Sequence, residues 1–350
     1  MEKKEATIDL FIAMPFIHDV KDRWFTRFVQ NPQIKIKVIP AGYEHDRSRK
    51  STSATEWIDY LKHAIAVLIN ARRSTQSSRV IVTGFPQLAV LVGLLKPLIC
   101  PRAKVIAWYF NLGQSYTGIK AKLASTGLNN IDVIVAHSTA EVDLYERLFS
   151  LPKGKVTFAP LAIDYTSVDV EEDTEHPFIL ALGTANRDYE TFFNAVKDID
   201  IDVVVVAGRH AISGLEVPSN VNVLSNISME ECKILARRSS MVVIPVHDVG
   251  TAAGQVSVIE AMALKKAVIA TRTVGVVDYA KDGENAILVP PADSGSLRKA
   301  IRKLECDAAL RYEIEANAFA FVLESCTAES SSNRIELIIN DIFEDNDNQS

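Results

Sequence analysis

Met241-Val242-Val243-Ile244-Pro245-Val246-His247-Asp248-Val249-Gly250-Thr251-Ala252-Ala253-Gly254-Gln255 opens as an apolar run and closes in small and polar residues. An apolar run of this length, bounded by a turn, is the pattern of a strand covered on both faces. Val256 to Leu264 continues as a helix, and Ala267 to Thr271 is a second apolar run. Strand, loop, helix and strand in about 30 residues make a βαβ unit, in which the helix carries the chain back so that the two strands run parallel.

The alternation continues in both directions. Phe178 to Leu182, Asp202 to Ala207 and Val221 to Leu224 read as strands upstream, and Ala286 to Val289 downstream. The first half holds another set: Ile8 to Met14, Ile34 to Ile39, Val80 to Gly84, Lys104 to Tyr109, Ile131 to His137 and Lys155 to Pro160. Ser53-x-x-Glu56 is a capping box opening a helix whose Trp57, Leu61, Ile65 and Leu68 share one face, and Ser138-x-x-Glu141 is a second box opening Ala140 to Phe149. The pattern breaks at Tyr165 to His176, where Asp169, Glu171, Glu172, Asp173 and Glu175 crowd an aperiodic acidic stretch before Pro177. The expected fold is α/β, with a Rossmann-like doubly wound domain over residues 1–165, a second over 177–325, and a C-terminal helix and acidic tail over 326–350 that frays from Phe343.

Composition agrees: 350 residues with 48% hydrophobic and 23% charged content suit two domains with real cores. The apolar run Leu88 to Leu95 is far too short to span a bilayer, and Met1 to Glu5 leads directly into a strand with no signal-peptide pattern, so a cytoplasmic protein is expected. Cys100, Cys232, Cys306 and Cys326 form no C-x-x-C pair and read as reduced thiols. The net charge of −6 divides unevenly, +9 over residues 1–160 and −15 over the remainder. Tyr60 to Ile131 holds no Asp or Glu but carries Lys62, Arg72, Arg73, Arg79, Lys96, Arg102, Lys104, Lys120 and Lys122, a face suited to an anionic partner.

Ligands of doubly wound sheets bind beyond the carboxyl ends of strands, and two such sheets facing one another enclose a cleft. Two loops stand out. Gly183-Thr184-Ala185-Asn186-Arg187-Asp188 combines a turn glycine, a hydroxyl and an arginine at a helix start, the parts of a phosphate site. In His247 to Gln255, small side chains let backbone N–H groups reach an anion at the start of the next helix, where Glu260 stands among Val258, Ile259, Ala261 and Met262. A carboxylate in that company either has buried partners or faces a ligand hydroxyl. His45, His63 and His176 read as solvated and His137 as packed, while His210 follows a strand end beside the expected cleft. No G-x-G-x-x-G follows a strand and no G-x-S-x-G occurs, which disfavours a dinucleotide dehydrogenase and a triad hydrolase.

The run Gly254 to Thr271, its continuation Lys281 to Pro290, the segment Asp132 to Ser138 and the crossover Pro160-Leu161-Ala162-Ile163-Asp164 resemble the retaining family 4 glycosyltransferases (glycosyl transferases group 1) of GT-B fold. The resemblance implies two Rossmann-like domains facing across a cleft, with a nucleotide-sugar donor (UDP- or GDP-sugar) on the second and a saccharide or lipid-linked acceptor on the first. It implies that Glu260 is the ribose-binding second Glu of the family's E-x7-E motif and that Arg187 neutralises the donor diphosphate, the two residues expected to carry catalysis. Gly254, Gln255 and Val256 would supply backbone amides to the diphosphate, and Asn226 and Ile227 would hold the nucleobase. Gly183, Thr184 and His210 complete the expected donor site. Thr184 stands where the family often has a second basic residue. Two positions depart from the family: Ala252 replaces the first Glu of the motif, and Pro15-Phe16-Ile17-His18 replaces a glycine-rich loop, leaving His18 and Asn111 as acceptor-side candidates.

Retaining transfer of this kind requires positive charge and N–H dipoles at the leaving diphosphate rather than a strong base, so neither metal nor cofactor is expected beyond the nucleotide-sugar co-substrate. The expected role is hexosyl transfer in cell-surface polysaccharide or glycoconjugate synthesis. The acid-free basic stretch adds an anionic membrane surface as a partner and a peripheral location at the cytoplasmic face, and a nucleic-acid partner is not expected. A non-catalytic GT-B partner protein, raised by Ala252, and a nucleotide-sugar epimerase remain as alternatives.

Overall fold

The computed structural model describes residues 7–22, 26–44, 53–76, 78–112, 118–164, 170–183, 185–248 and 250–347. The chain forms two compact units, Met1–Ala159 together with Ala328–Ser350, and Pro160–Thr327.

In the first unit, β1 (Ile8–Ala13), β2 (Ile34–Val38), α1 (Ala54–Arg72), β3 (Ser78–Gly84), α2 (Pro86–Ile99), β4 (Lys104–Phe110), α3 (Gly118–Asn129), β5 (Val133–Ala136), α4 (Thr139–Leu148) and β6 (Val156–Phe158) follow in turn. The strands pair parallel in the order β2-β1-β3-β4-β5-β6. Every residue of β1 is buried, as a central parallel strand requires. Its one acid, Asp9, is matched by Lys37 and Ser74, each at 2.5 Å. Phe11, Ala13, Ile81, Val105, Ala107 and Phe110 share a core with the inner faces of α1 to α4. The Ser53/Glu56 capping box forms at α1. At α4 Ser138 is the N-cap but makes no side-chain cap bond. Glu141 is fully buried and hydrogen-bonds with the Tyr145 hydroxyl. His63 also departs from expectation: it is buried, with Nε2 2.8 Å from Ile39 O and Nδ1 3.1 Å from the Tyr43 hydroxyl. His45 lies outside the described residues.

The second unit runs β7 (Phe178–Leu182), α5 (Tyr189–Val196), β8 (Asp202–Val206), a one-turn 3-10 helix (Arg209–Ala211), β9 (Val221–Leu224), α6 (Met229–Arg238), β10 (Met241–Ile244), α7 (Gln255–Ala263), β11 (Val268–Thr271), β12 (Ile287–Val289), α8 (Ser294–Cys306) and α9 (Ala308–Ser325). Its parallel sheet has the order β12-β11-β10-β7-β8-β9, the Rossmann order read from the far edge. Side-chain caps start its helices: Asp188 at α5, Ser228 with Glu231 at α6, Asp293 at α8 and Asp307 at α9.

The acidic stretch expected to separate the domains belongs to the second unit, and the division falls between Ala159 and Pro160. Its charges are used there. Glu172 accepts from Lys266 at 2.8 Å and pairs with Arg311 at 3.2 Å, Asp173 pairs with Arg238 at 2.5 Å, and Arg237 donates to the Val170 carbonyl at 3.1 Å. After α9 the chain returns to the first unit as α10 (Ala328–Asp347), helical well beyond Phe343, where fraying was expected. Ile335, Ile338, Ile339 and Ile342 are buried at helical spacing, and Glu336 accepts from Gln30 N at 2.5 Å.

Candidate functional site

β7 and β10 are neighbours, yet the chain leaves β7 toward β8 on one side and β10 toward β11 on the other. The connections at their carboxyl ends part there, and such a switch point is where doubly wound sheets hold ligands. Two loops border it and are laced together. Arg187 and Val246 form an isolated antiparallel bridge, Asp188 N donates to Pro245 O at 3.0 Å, and His247 N donates to Asn186 O at 3.0 Å. The Tyr189 hydroxyl donates to Gly183 O at 2.5 Å and fixes the first loop from beneath.

Gly183 has φ +121°, and a Cβ there would stand 2.4 Å from Arg187 Nε. The glycine makes room for the guanidinium to fold back over the end of β7. Arg187 Nε donates to Leu182 O at 3.0 Å, Nη1 to Ala185 O at 2.8 Å and Nη2 to Ser257 Oγ at 2.7 Å. Every one of these acceptors is neutral, and among the described residues no carboxylate comes within salt-bridge distance of Arg187. Burial lowers its pKa, the sign of a desolvated cation short of counter-charge.

Ser257 lies in the first turn of α7, whose N-cap Gly254 has φ +87° and offers no side-chain acceptor. A Cβ on Gly254 would meet Val246 Cγ2 at 2.8 Å, so both conformation and space require glycine. The first-turn N–H groups of a helix lack intrahelical acceptors and carry about half a positive charge. Arg187 therefore adds a cation to an end that is already positive. The preceding loop is closed down: a Cβ on Gly275 would stand 2.5 Å from Ala253 N and 2.9 Å from Ala252 Cα, and Ala252 is buried.

Glu260 sits one turn beyond Ser257, on the same side of α7. It is half-buried, no hydrogen bond or ion pair to its carboxylate occurs among the described residues, and burial raises its pKa against the opposing influence of Lys233. Cys232 of α6 lies close enough for the Glu260 charge to push its thiol upward, after burial.

Gly183 and Arg187 are thus joined to Gly254, Gln255, Val256 and Glu260 through the Arg187–Ser257 bond. His210, exposed in the 3-10 turn after β8, and Asn226 (φ +59°) and Ile227 after β9 lie at the carboxyl edge on the other side of β7. That edge is tied by Ser225 Oγ to Ala207 O at 2.9 Å. Thr184 lies outside the described residues. His18 and Asn111 belong to the first unit, in the loop after β1 and directly past β4; His18 Nδ1 is 3.1 Å from Ala41 O. Sequence reasoning did not single out Ser257 or Tyr189. The available signal for Ser257 was its place three residues after the Gly254 cap.

Residues 166–321 match the family model described as glycosyl transferases group 1. The match lies within the second unit. Solved structures similar to the whole chain include a sucrose-phosphate synthase from Thermosynechococcus elongatus, with TM-score 0.69 and 16% identity over 96% of this chain and 99% of that one. A glycosyltransferase from Rickettsia africae gives TM-score 0.69 and 14% identity over 97% and 99% of the two chains. HepE from Anabaena in complex with UDP gives 0.67 and 12% over 96% and 100%. At these identities the likeness establishes the GT-B fold. No curated protein sequence matches the chain. No described helix is long and apolar enough to cross a membrane. In the matched region, then, the switch point carries a half-buried, desolvated arginine, an uncapped helix start and a half-buried carboxylate without a hydrogen-bond partner.

Proposed function

We propose that the protein transfers a hexose from a UDP- or GDP-sugar, with retention of configuration, to a saccharide or lipid-linked acceptor recognised by the first unit, in glycoconjugate or polysaccharide synthesis. The observation carrying this reading is Arg187, a desolvated guanidinium without a carboxylate, set on the uncapped first turn of α7. Cation and helix dipole repel until an anion lies between them, and a diphosphate supplies both the charge and the acceptor oxygens. The same groups stabilise the charge that grows on the diphosphate as the sugar departs, which is how Arg187 contributes to rate. Glu260 accepts from the ribose hydroxyls. Gly183 leaves room for Arg187, and the amides of Gly254, Gln255 and Val256 face the phosphates. His210, Asn226 and Ile227 border the nucleoside. His18 and Asn111 are the polar contacts offered to the acceptor. The reaction uses no metal. The UDP held by HepE belongs to that protein, and supports this reading by analogy of fold.

Ala252 favours a second reading, in which the chain binds a nucleotide-sugar without transferring it. The carboxylate expected to touch the sugar is replaced by a buried methyl pressed by Gly275. Calorimetric titration with UDP, GDP and their hexose conjugates, followed by slow donor hydrolysis, tests both. Binding with hydrolysis supports the transferase, binding without turnover supports the second reading, and no binding removes both.

A further inference from the structure

Within the first unit, α2 and α3 touch through glycines. A Cβ on Gly93 would stand 2.0 Å from Gly127 O, and one on Gly127 2.5 Å from Val90 O. The contact is locked. Pro97, inside α2, has no N–H to give Gly93 O, and Asn130 Nδ2 donates to that carbonyl at 3.0 Å. Lys96 Nζ donates to Asn130 O at 2.9 Å and to Asp132 Oδ2 at 2.6 Å. Beside this clamp lies a cavity of about 250 Å³ lined by Val90, Leu91 and Leu94 of α2, Leu123 and Ala124 of α3, and Phe110 at the end of β4. Its one charged liner is Lys120.

Leu123, 50% exposed, and the exposed Lys120 mark the mouth, and Ile119 on the next turn is 79% exposed. Among the described residues neither Lys120 nor Lys122 pairs with a carboxylate, and no acid occurs from Tyr60 to Ile131. A dry apolar cavity of about 150 Å³ already admits benzene. The rigid glycine clamp prevents this larger one from collapsing, and cavities that cannot collapse are costly to leave unfilled.

We propose that this cavity holds the hydrocarbon chain of a single lipid phosphate, with Lys120 meeting its anionic head. One chain fits the volume; a bilayer face does not need an internal cavity. The proposal rests on reading the first unit as the acceptor side, and gives that acceptor a chemical class.

The test titrates the full chain with decyl phosphate below its micelle concentration, alongside hexyl phosphate, inorganic phosphate and a neutral decyl glycoside, with UDP binding measured in parallel. Affinity should rise about four-fold per methylene until the cavity is full. Ala124→Phe, which fills the cavity, should reduce decyl phosphate affinity at least ten-fold. Lys120→Ala should reduce it several-fold and leave the neutral glycoside unaffected. Should Ala124→Phe fail to fold, Leu123→Trp at the half-exposed mouth replaces it, with the same loss expected. UDP affinity should be unchanged in all variants. Equal affinity for all chain lengths, or undiminished binding by the filled variant, overturns the proposal. So does binding to anionic vesicles that persists in both variants without decyl phosphate binding, since that is a surface attraction. Loss of UDP binding in the wild type, with decyl phosphate binding intact, would sink the donor reading and leave this one standing.

Discussion

Arg187 Nη2 donates to Ser257 Oγ across 2.7 Å, joining the loop after β7 to the first turn of α7 over the switch point of the sheet. One bond thereby sets the direction of the guanidinium, while its other two partners are carbonyls at the end of β7 and in its own loop. An arginine needed only for packing would be served by a carboxylate. This one is held by neutral acceptors, and its charge is left for something that arrives.

Arg187→Ala should weaken UDP or GDP binding by about 1.5–3 kcal/mol, roughly ten- to a hundred-fold. Arg187→Lys should recover little, because an ammonium cannot serve all the acceptors of the fork at once. Thermal stability should hold or rise, since the substitution removes a desolvated charge from a positive helix end. Calorimetry and a melting curve together check this; a fall in stability with affinity intact would make Arg187 structural.

Gly183→Ala provides a test that leaves Arg187 in place. The added methyl would overlap the guanidinium, and alanine is strained at φ +121°. Donor affinity should fall nearly as far as in Arg187→Ala, with little change in the binding of a nucleoside lacking phosphates. Equal losses for nucleoside and nucleotide would mean that the loop as a whole, not the guanidinium, had been disturbed.

Glu260→Gln separates stability from binding in the opposite direction. Burial raises the Glu260 pKa, so the folded state holds that proton more tightly than the unfolded chain. The group therefore favours folding at low pH, and this contribution is lost as pH rises from the ordinary carboxylate range through the raised value. At neutral pH the glutamine variant should melt at the same temperature or higher, yet bind nucleotide-sugar about ten-fold more weakly. In the wild type, binding should decline as pH falls toward the raised value. A binding profile flat across that range removes Glu260 from the ribose.

Full activity in excess EDTA and a product with the donor's anomeric configuration are expected, because the charge at the departing diphosphate is met by Arg187 and the α7 N–H groups. Proton NMR of the fresh product decides the stereochemistry. Inversion would overturn the retaining assignment.

Strands were the most legible part of the sequence, since β10 and β11 announce themselves as short apolar runs bounded by turn residues. Charge patterns were less legible, because sequence alone does not say which acids have partners. Glu141 turns inward to Tyr145, and the stretch around Glu172 is bound by cations from α6, α9 and the turn after α7 that lie about 65 to 140 positions along the chain. His63 of α1 is buried for the same kind of reason: its partner, Ile39 O, lies just past β2, 24 positions away. At the site, Arg187 and Glu260 were visible as residue types in suitable loops. The bond through Ser257 was not, being a contact between residues 70 positions apart.

Lys266 tests whether the acidic stretch is a strap or a loose connection. Its side chain is 2% exposed, with Nζ 2.8 Å from Glu172 and 3.8 Å from Glu315. Burial raises the Glu315 pKa, while Lys266 draws it back. Lys266→Met would leave Glu172 with Arg311 alone and Glu315 without a cation at that distance, and breaking a buried pair from one side costs about 3 kcal/mol. The double variant Lys266→Met with Glu315→Gln should recover much of that loss, because the carboxylate left uncompensated is then gone. Urea unfolding of the four proteins in the cycle gives the coupling directly. A single variant within about 0.5 kcal/mol of the wild type, the range of an ordinary surface change, would show that the Lys266 pairs with Glu172 and Glu315 contribute nothing to the stability of the second unit.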